Sequence, residues 1–164
     1  MEWLASAAPD PRACRREWER NPFGIALLPA GRVWDVLVVP AALGCPAAEL
    51  LSRWTRRRPG PVLLDARAGR VGFLVPPGTA GRWVGTGVRG VGDGAWVVIP
   101  HPLRGLCLVR WLVPPDGSGV LTDPVGLEGA FARGGWGVSF LPHPAPSRNR
   151  GAGPGPRCRS ARRA

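Results

Sequence analysis

Gly and Pro cut this chain into apolar runs too short for helices, and that punctuation limits what it can fold into. Val71–Val75 and Ala95–Pro100 are β-branched or aromatic and bounded by Gly or Pro, which is a strand signature. Phe23–Pro29, Val33–Val39, Val62–Leu64 and Leu106–Val113 read the same way. Val33–Val39 is almost unbroken, as expected for a strand covered on both faces. Val62–Leu64 and Val71–Val75 flank the turn Asp65–Gly69 and form a hairpin. Helices are predicted where capping chemistry appears. Asp10-Pro11 supplies an N-cap and a first-turn Pro for Arg12–Arg20, with Cys14 and Trp18 four apart on one face. Trp18 is expected to pack on a sheet rather than stack on a base. Pro46–Arg58 is a second helix carrying Leu50, Leu51 and Trp54, and Val125–Arg133 a third, capped by Thr122 or Asp123. Thr79–Val84 is a helical turn or short helix carrying Trp83, and Met1–Ala8 is a short helix or loose. Gly135–Leu141 has strand character but no evident partner. The elements together give an α+β (mixed α/β) class, with one domain over residues 1–141 and a disordered Arg-, Pro- and Gly-rich tail over 142–164.

Charge separates the tail from the body. The net charge is +11, and every one of the 22 cations is Arg. Six of them fall between Arg148 and Arg163, which leaves 16 Arg against 11 acids, or +5, for the rest. The body is only mildly basic. The tail is read either as a non-specific contact to nucleic acid or an acidic protein partner, or as an unselected extension whose composition follows a GC-rich coding sequence. The absence of Lys excludes Schiff-base chemistry and a lysine-bearing phosphate loop. Cys14, Cys45, Cys107 and Cys158 contain no C-x-x-C pair, and His occurs only at 101 and 143, so no zinc spacing exists. Independent thiols in a reducing compartment are expected. The N-terminus is charged within three residues, unlike a signal peptide, and no apolar run approaches the ~18 residues of a spanning helix. We expect a soluble, cytoplasmic protein without membrane contact; the sequence does not give its oligomeric state.

The block from Gly85 to Gly92 draws attention because four glycines surround Arg89 and free the backbone to approach a ligand. Asp35 is the single charge in Val33–Val39. It is either a site acid or an Asp near a strand start that reaches solvent or a turn amide. The second reading is favoured, because no second acid is close enough in sequence to share a metal. Arg56-Arg57-Arg58 suits the C-terminal end of a helix dipole, or contacts phosphate.

Taken in order, a helix with Trp18 near its end, NPFGIALLPAGRVWDVLVVP, a helix, GPVLLDARAGRVGFLVPPG, GTGVRGVGDGAWVVIPHP and VRWLVPP resemble the N-terminal domain of bifunctional primase-polymerases, in the archaeo-eukaryotic primase superfamily, and short actinobacterial proteins related to it. The resemblance runs from Pro11 to Pro115 and is most specific in Gly85–Pro102. It implies an RRM-like mixed sheet flanked by helices, and nucleotidyl transfer by two divalent metals. An acidic pair at a strand end and an acid from the glycine loop would hold the metals, and a hairpin histidine would meet the triphosphate. Matched position by position, the acid positions fall on Val38, Pro40 and Gly87, the histidine position on Arg70, and only Arg89 keeps its type. Two metals close together need bridging carboxylates, so the resemblance implies the fold and argues against the activity.

Three functions follow. A binding module would use Arg70 and Arg89 on phosphate and Trp83 or Trp96 on a base, with single-stranded DNA or a nucleotide as partner and no cofactor. Against it, Arg89 reads first as a structural ion pair or a surface charge, and Trp96 first as a core residue. An active DNA primase or polymerase would need Asp35, Asp65 and Asp93 to converge on Mg or Mn. A regulatory scaffold would have no nucleic-acid role.

Overall fold

The computed structural model describes residues 2–21, 24–54, 59–85, 87–103, 108–134 and the backbone of 138–140. The predicted tail, the Arg56–Arg58 run and Cys107 lie outside the described residues.

The chain opens with α1 (Glu2–Ala5) and α2 (Pro11–Arg20). Asp10 caps α2 as its sequence indicates, accepting from the N–H groups of Arg12 at 2.9 Å and Ala13 at 3.0 Å. Cys14 and Trp18 share the buried face, and the Trp18 indole donates to the Ile99 carbonyl at 3.0 Å. Trp18 is therefore fastened to the strand that contains Ile99, as expected of a core aromatic.

Among the described residues nine strands pair antiparallel throughout. They are β1 (Ile25–Pro29), β2 (Asp35–Pro40), β3 (Val62–Asp65), β4 (Arg70–Val75), β5 (Trp83–Gly85), β6 (Arg89–Val91), β7 (Trp96–Pro100), β8 (Val109–Val113) and β9 (Val138–Phe140). The main sheet has five strands in the order β6-β2-β4-β3-β8, while β1 with β7 and β5 with β9 form two separate ribbons. The helices α3 (Ala41–Trp54) and α4 (Pro124–Arg133) complete the α+β architecture.

Strand alternation divides the core between the two faces of the main sheet. On one face Leu37, Val39, Val71 and Phe73 are buried with Leu43, Ala47 and Leu51 of α3 and Leu127, Ala130 and Phe131 of α4. Phe73 meets Phe131 edge to face at 5.8 Å, and Gly44 lets α3 approach so closely that a Cβ there would lie 2.4 Å from that of Val71. The Arg133 guanidinium sits 4.1 Å over the Trp54 ring and links the two helices. On the opposite face Val36, Leu63 and Leu74 are buried with Trp18, Trp34, Leu28 and Ile99, beneath the β1–β7 ribbon and the N-terminal helices.

The structure corrects four expectations. Helix α3 begins at Ala41 and runs through Pro46 rather than starting there. Its first N–H is met by the Gly69 carbonyl at 2.8 Å, a partner distant in sequence that replaces a side-chain cap. The expected helical turn at Thr79–Val84 is a 3-10 turn only over Ala80–Arg82, followed by β5. The glycine loop is interrupted by sheet: Gly85 ends β5, and Arg89–Val91 form β6 at the edge of the main sheet against β2. The unpartnered segment after Gly134 does pair: Val138–Phe140 lies against Trp83–Gly85.

Candidate functional site

The register of the main sheet assembles the site. Val38 of β2 lies opposite Arg89 of β6 on one side and Gly72 of β4 on the other, and Gly72 lies opposite Leu63 of β3. One step along, Pro40 lies opposite Arg70, and Arg70 opposite Asp65. Directly opposed residues share a face, as do residues two apart on a strand. Arg89, Val38, Gly72, Leu63, Pro40, Arg70 and Asp65 therefore all face the ribbon side. Between that face and the ribbon is a cleft of about 340 Å³. Val36, Val38, Gly72, Leu63 and Val109 form its floor, Ala95–Val98 stand across from them, and Arg70, Arg89 and Asp65 supply its charge.

Two guanidiniums thus flank a strip of small apolar side chains. Strand spacing places the Cα atoms of Arg70 and Arg89 about 12 Å apart, close enough for both long side chains to reach one ligand. Both residues are exposed, and neither takes part in an ion pair among the described residues. Asp65 lies beside Arg70, but its Oδ1 accepts from the Ala68 N–H at 2.9 Å and shapes the hairpin turn. Gly72 keeps the floor flat, since a Cβ there would lie 2.9 Å from Val36 Cγ1.

The other residues singled out by sequence go elsewhere. Asp35 is five positions from Pro40, so it belongs to the opposite face. It is 1% exposed, and its Oδ2 accepts from the Ala80 N–H at 2.9 Å, which is the turn-amide role. Asp93 is exposed on the turn before β7, against Gly31. Asp35 and Asp65 lie on opposite faces, and among the described residues no three His, Cys, Asp or Glu side chains gather into a metal-binding group. Val38 and Pro40 offer the cleft no metal donor, and Gly87, at φ +82, sits in a conformation suited to glycine. The donor set does not fit a two-metal centre. Trp83 is not brought to Arg70 and Arg89, because it packs edge-on to Phe131 at 6.0 Å on the helix-covered side.

Trp96 was expected in the core and is instead 58% exposed on the cleft wall. It pairs with Pro29 at the end of the ribbon, and alternation puts it with Leu27 and Val98 on the face turned from the core. The run Ala95–Pro100 carried no sign of this, because all its residues are apolar. A larger hollow of about 500 Å³ lies between α2 and that outer ribbon face. Its polar side chains are Asp10, Glu17 and Asn21, which suits an anion poorly. His101 is buried edge-on to Trp18, with Nδ1 accepting from the Leu103 N–H, and plays no part in the cleft. Among the described residues no helix is long and apolar enough to cross a membrane.

Compared with known proteins, the chain matches no family model, no curated protein and no solved structure.

Proposed function

We propose that the cleft between the main sheet and the β1–β7 ribbon binds the phosphates of single-stranded nucleic acid or of a nucleotide, without phosphoryl chemistry, as a degenerate relative of the primase-polymerase domain. One observation carries this reading: Arg70 and Arg89, remote in sequence, share one face of the sheet on either side of β2 and border an apolar floor. A ligand suited to both surfaces has an anionic part and a flat apolar part. Phosphate oxygens accept charge-assisted hydrogen bonds from Arg, and a base covers the Val38–Gly72–Leu63 strip or stacks on exposed Trp96. The missing carboxylates at Val38, Pro40 and Gly87 support binding without catalysis.

The test is fluorescence anisotropy with a labelled single-stranded oligonucleotide and the full chain. Arg70→Ala with Arg89→Ala leaves the Arg-rich tail intact, so any lost affinity belongs to the cleft. We expect at least a tenfold loss. Unchanged affinity would remove the cleft from the account. Primer extension with Mg or Mn is expected to yield no product, and templated extension would restore the catalytic reading.

A further inference from the structure

We propose that β8 is the pairing edge of a homodimer, in which the β8 strands of two copies of this chain lie antiparallel and join their sheets. This is independent of what the cleft binds. β8 ends the strand order, and among the described residues it pairs with β3 alone. The Ala66 N–H donates to the Leu108 carbonyl, which makes Ala66 and Leu108 a hydrogen-bonded pair. Antiparallel ladders alternate, so Leu64 and Arg110 form the next such pair, and Val109 and Trp111 turn their N–H and C=O groups away from β3. Such a row of backbone groups is a template for another strand. The strand VRWLV carries no Pro, and four of its five residues are apolar and only half-buried. Pro114-Pro115 follows directly and limits the pairing to this segment.

The space beside the edge is shaped for a further strand. Cys45, Ala48, Glu49 and Ser52 lie along one stripe of α3, and with Arg53, Leu112 and Val113 they line a hollow of about 290 Å³. A strand added next to β8 would send its helix-side residues into that hollow.

Register and charge identify the added strand as a second β8. Two such strands centred on Arg110 would set like charges side by side, which is unfavourable. Centred on Trp111, the outward backbone groups of Trp111 bond their equivalents, and Arg110 falls beside Leu112 of the second copy. Arg110 shares the helix-side face with Leu64, so it then reaches the hollow rimmed by Glu49 and Arg53 of that copy, where it competes with Arg53 for the Glu49 carboxylate. Arg110 is exposed and outside every ion pair among the described residues. Glu49 has only a 4.0 Å contact with Arg53, in which both side chains are more than 70% exposed. The two-fold axis makes the Arg110–Glu49 contact twice, as an isologous interface requires.

Sedimentation equilibrium on the full chain tests this. The expected result is a monomer–dimer equilibrium at micromolar concentration. Arg110→Glu and Val109→Pro should each raise the dissociation constant at least tenfold with an unchanged far-UV spectrum, since the Val109 N–H makes no bond within the sheet. Combining Arg110→Glu with Glu49→Arg should restore dimers. If Val109→Pro fails to fold, the charge exchange carries the test alone. A wild-type chain that stays monomeric, a dimer indifferent to Arg110→Glu, or a charge exchange that does not restore dimers would each overturn the proposal.

Discussion

Replacing Asp35 by Ala separates a structural acid from a catalytic one. The carboxylate is 1% exposed, and its Oδ2 holds the Ala80 N–H, the first of the 3-10 turn, at 2.9 Å. Removing the acceptor leaves a half-buried N–H unsatisfied and loses a charge-assisted bond, together about 2–3 kcal/mol. Part returns, because Asp35 Oδ1 is itself buried without a partner among the described residues and costs free energy to desolvate. We take about 2 kcal/mol as the net loss, which for a domain of this size lowers Tm by about 7 °C. Asp35→Asn keeps an acceptor of the same shape and should stay within about 1 kcal/mol of wild type. Thermal unfolding followed by circular dichroism reads both variants. Oligonucleotide affinity, measured well below either Tm, should not change, because Asp35 faces away from the cleft. An Asp35→Ala chain as stable as wild type, or one that stays folded but loses binding, would refute the reasoning.

Other consequences follow from single contacts. Gly44→Ala forces a Cβ against Val71 and should cost about 1–3 kcal/mol in urea unfolding, with Val71→Ala recovering part of it in a double-mutant cycle. The Cys14 thiol is pushed above its ordinary pKa by burial. Alkylation at pH 8 followed by peptide mass spectrometry should therefore modify half-exposed Cys45 well before Cys14. The Asp10 carboxylate is held below its ordinary pKa, chiefly by the Ala13 N–H. Its stabilisation is complete above the unfolded-state value of about 3.9 and fades as pH falls through the lower folded value. Asp10→Asn should flatten that acid limb in pH-dependent unfolding.

The parts of the fold that rest on local chemistry were legible. Asp10-Pro11 and Asp123-Pro124 open their helices as capping rules require, with Asp123 accepting from the Gly126 N–H at 2.9 Å. The apolar runs are strands because their length and boundaries allow little else. Long-range features were hidden. The start of α3 depends on the Gly69 carbonyl, and β6 and β9 are three-residue strands that exist through their partners. Trp96 looked like core because an all-apolar run does not say which face of a two-stranded ribbon is covered. In the site, the residue types at 70 and 89 were visible, but their common face was not. Only the pairing of β2 with both β4 and β6 puts Val38 and Pro40 between them. The same register sends Asp35 to the other face, and packing on Phe131 keeps Trp83 from the two arginines.

The salt dependence of oligonucleotide binding tests the proposed hold of Arg70 and Arg89 on phosphate. Each phosphate contact on a single strand contributes about 0.7 to the slope of log K against log salt, so Arg70→Ala with Arg89→Ala should reduce that slope by about 1.4. A double variant with the wild-type slope and affinity would show that Arg70 and Arg89 do not hold phosphate, and would leave any binding to the rest of the chain.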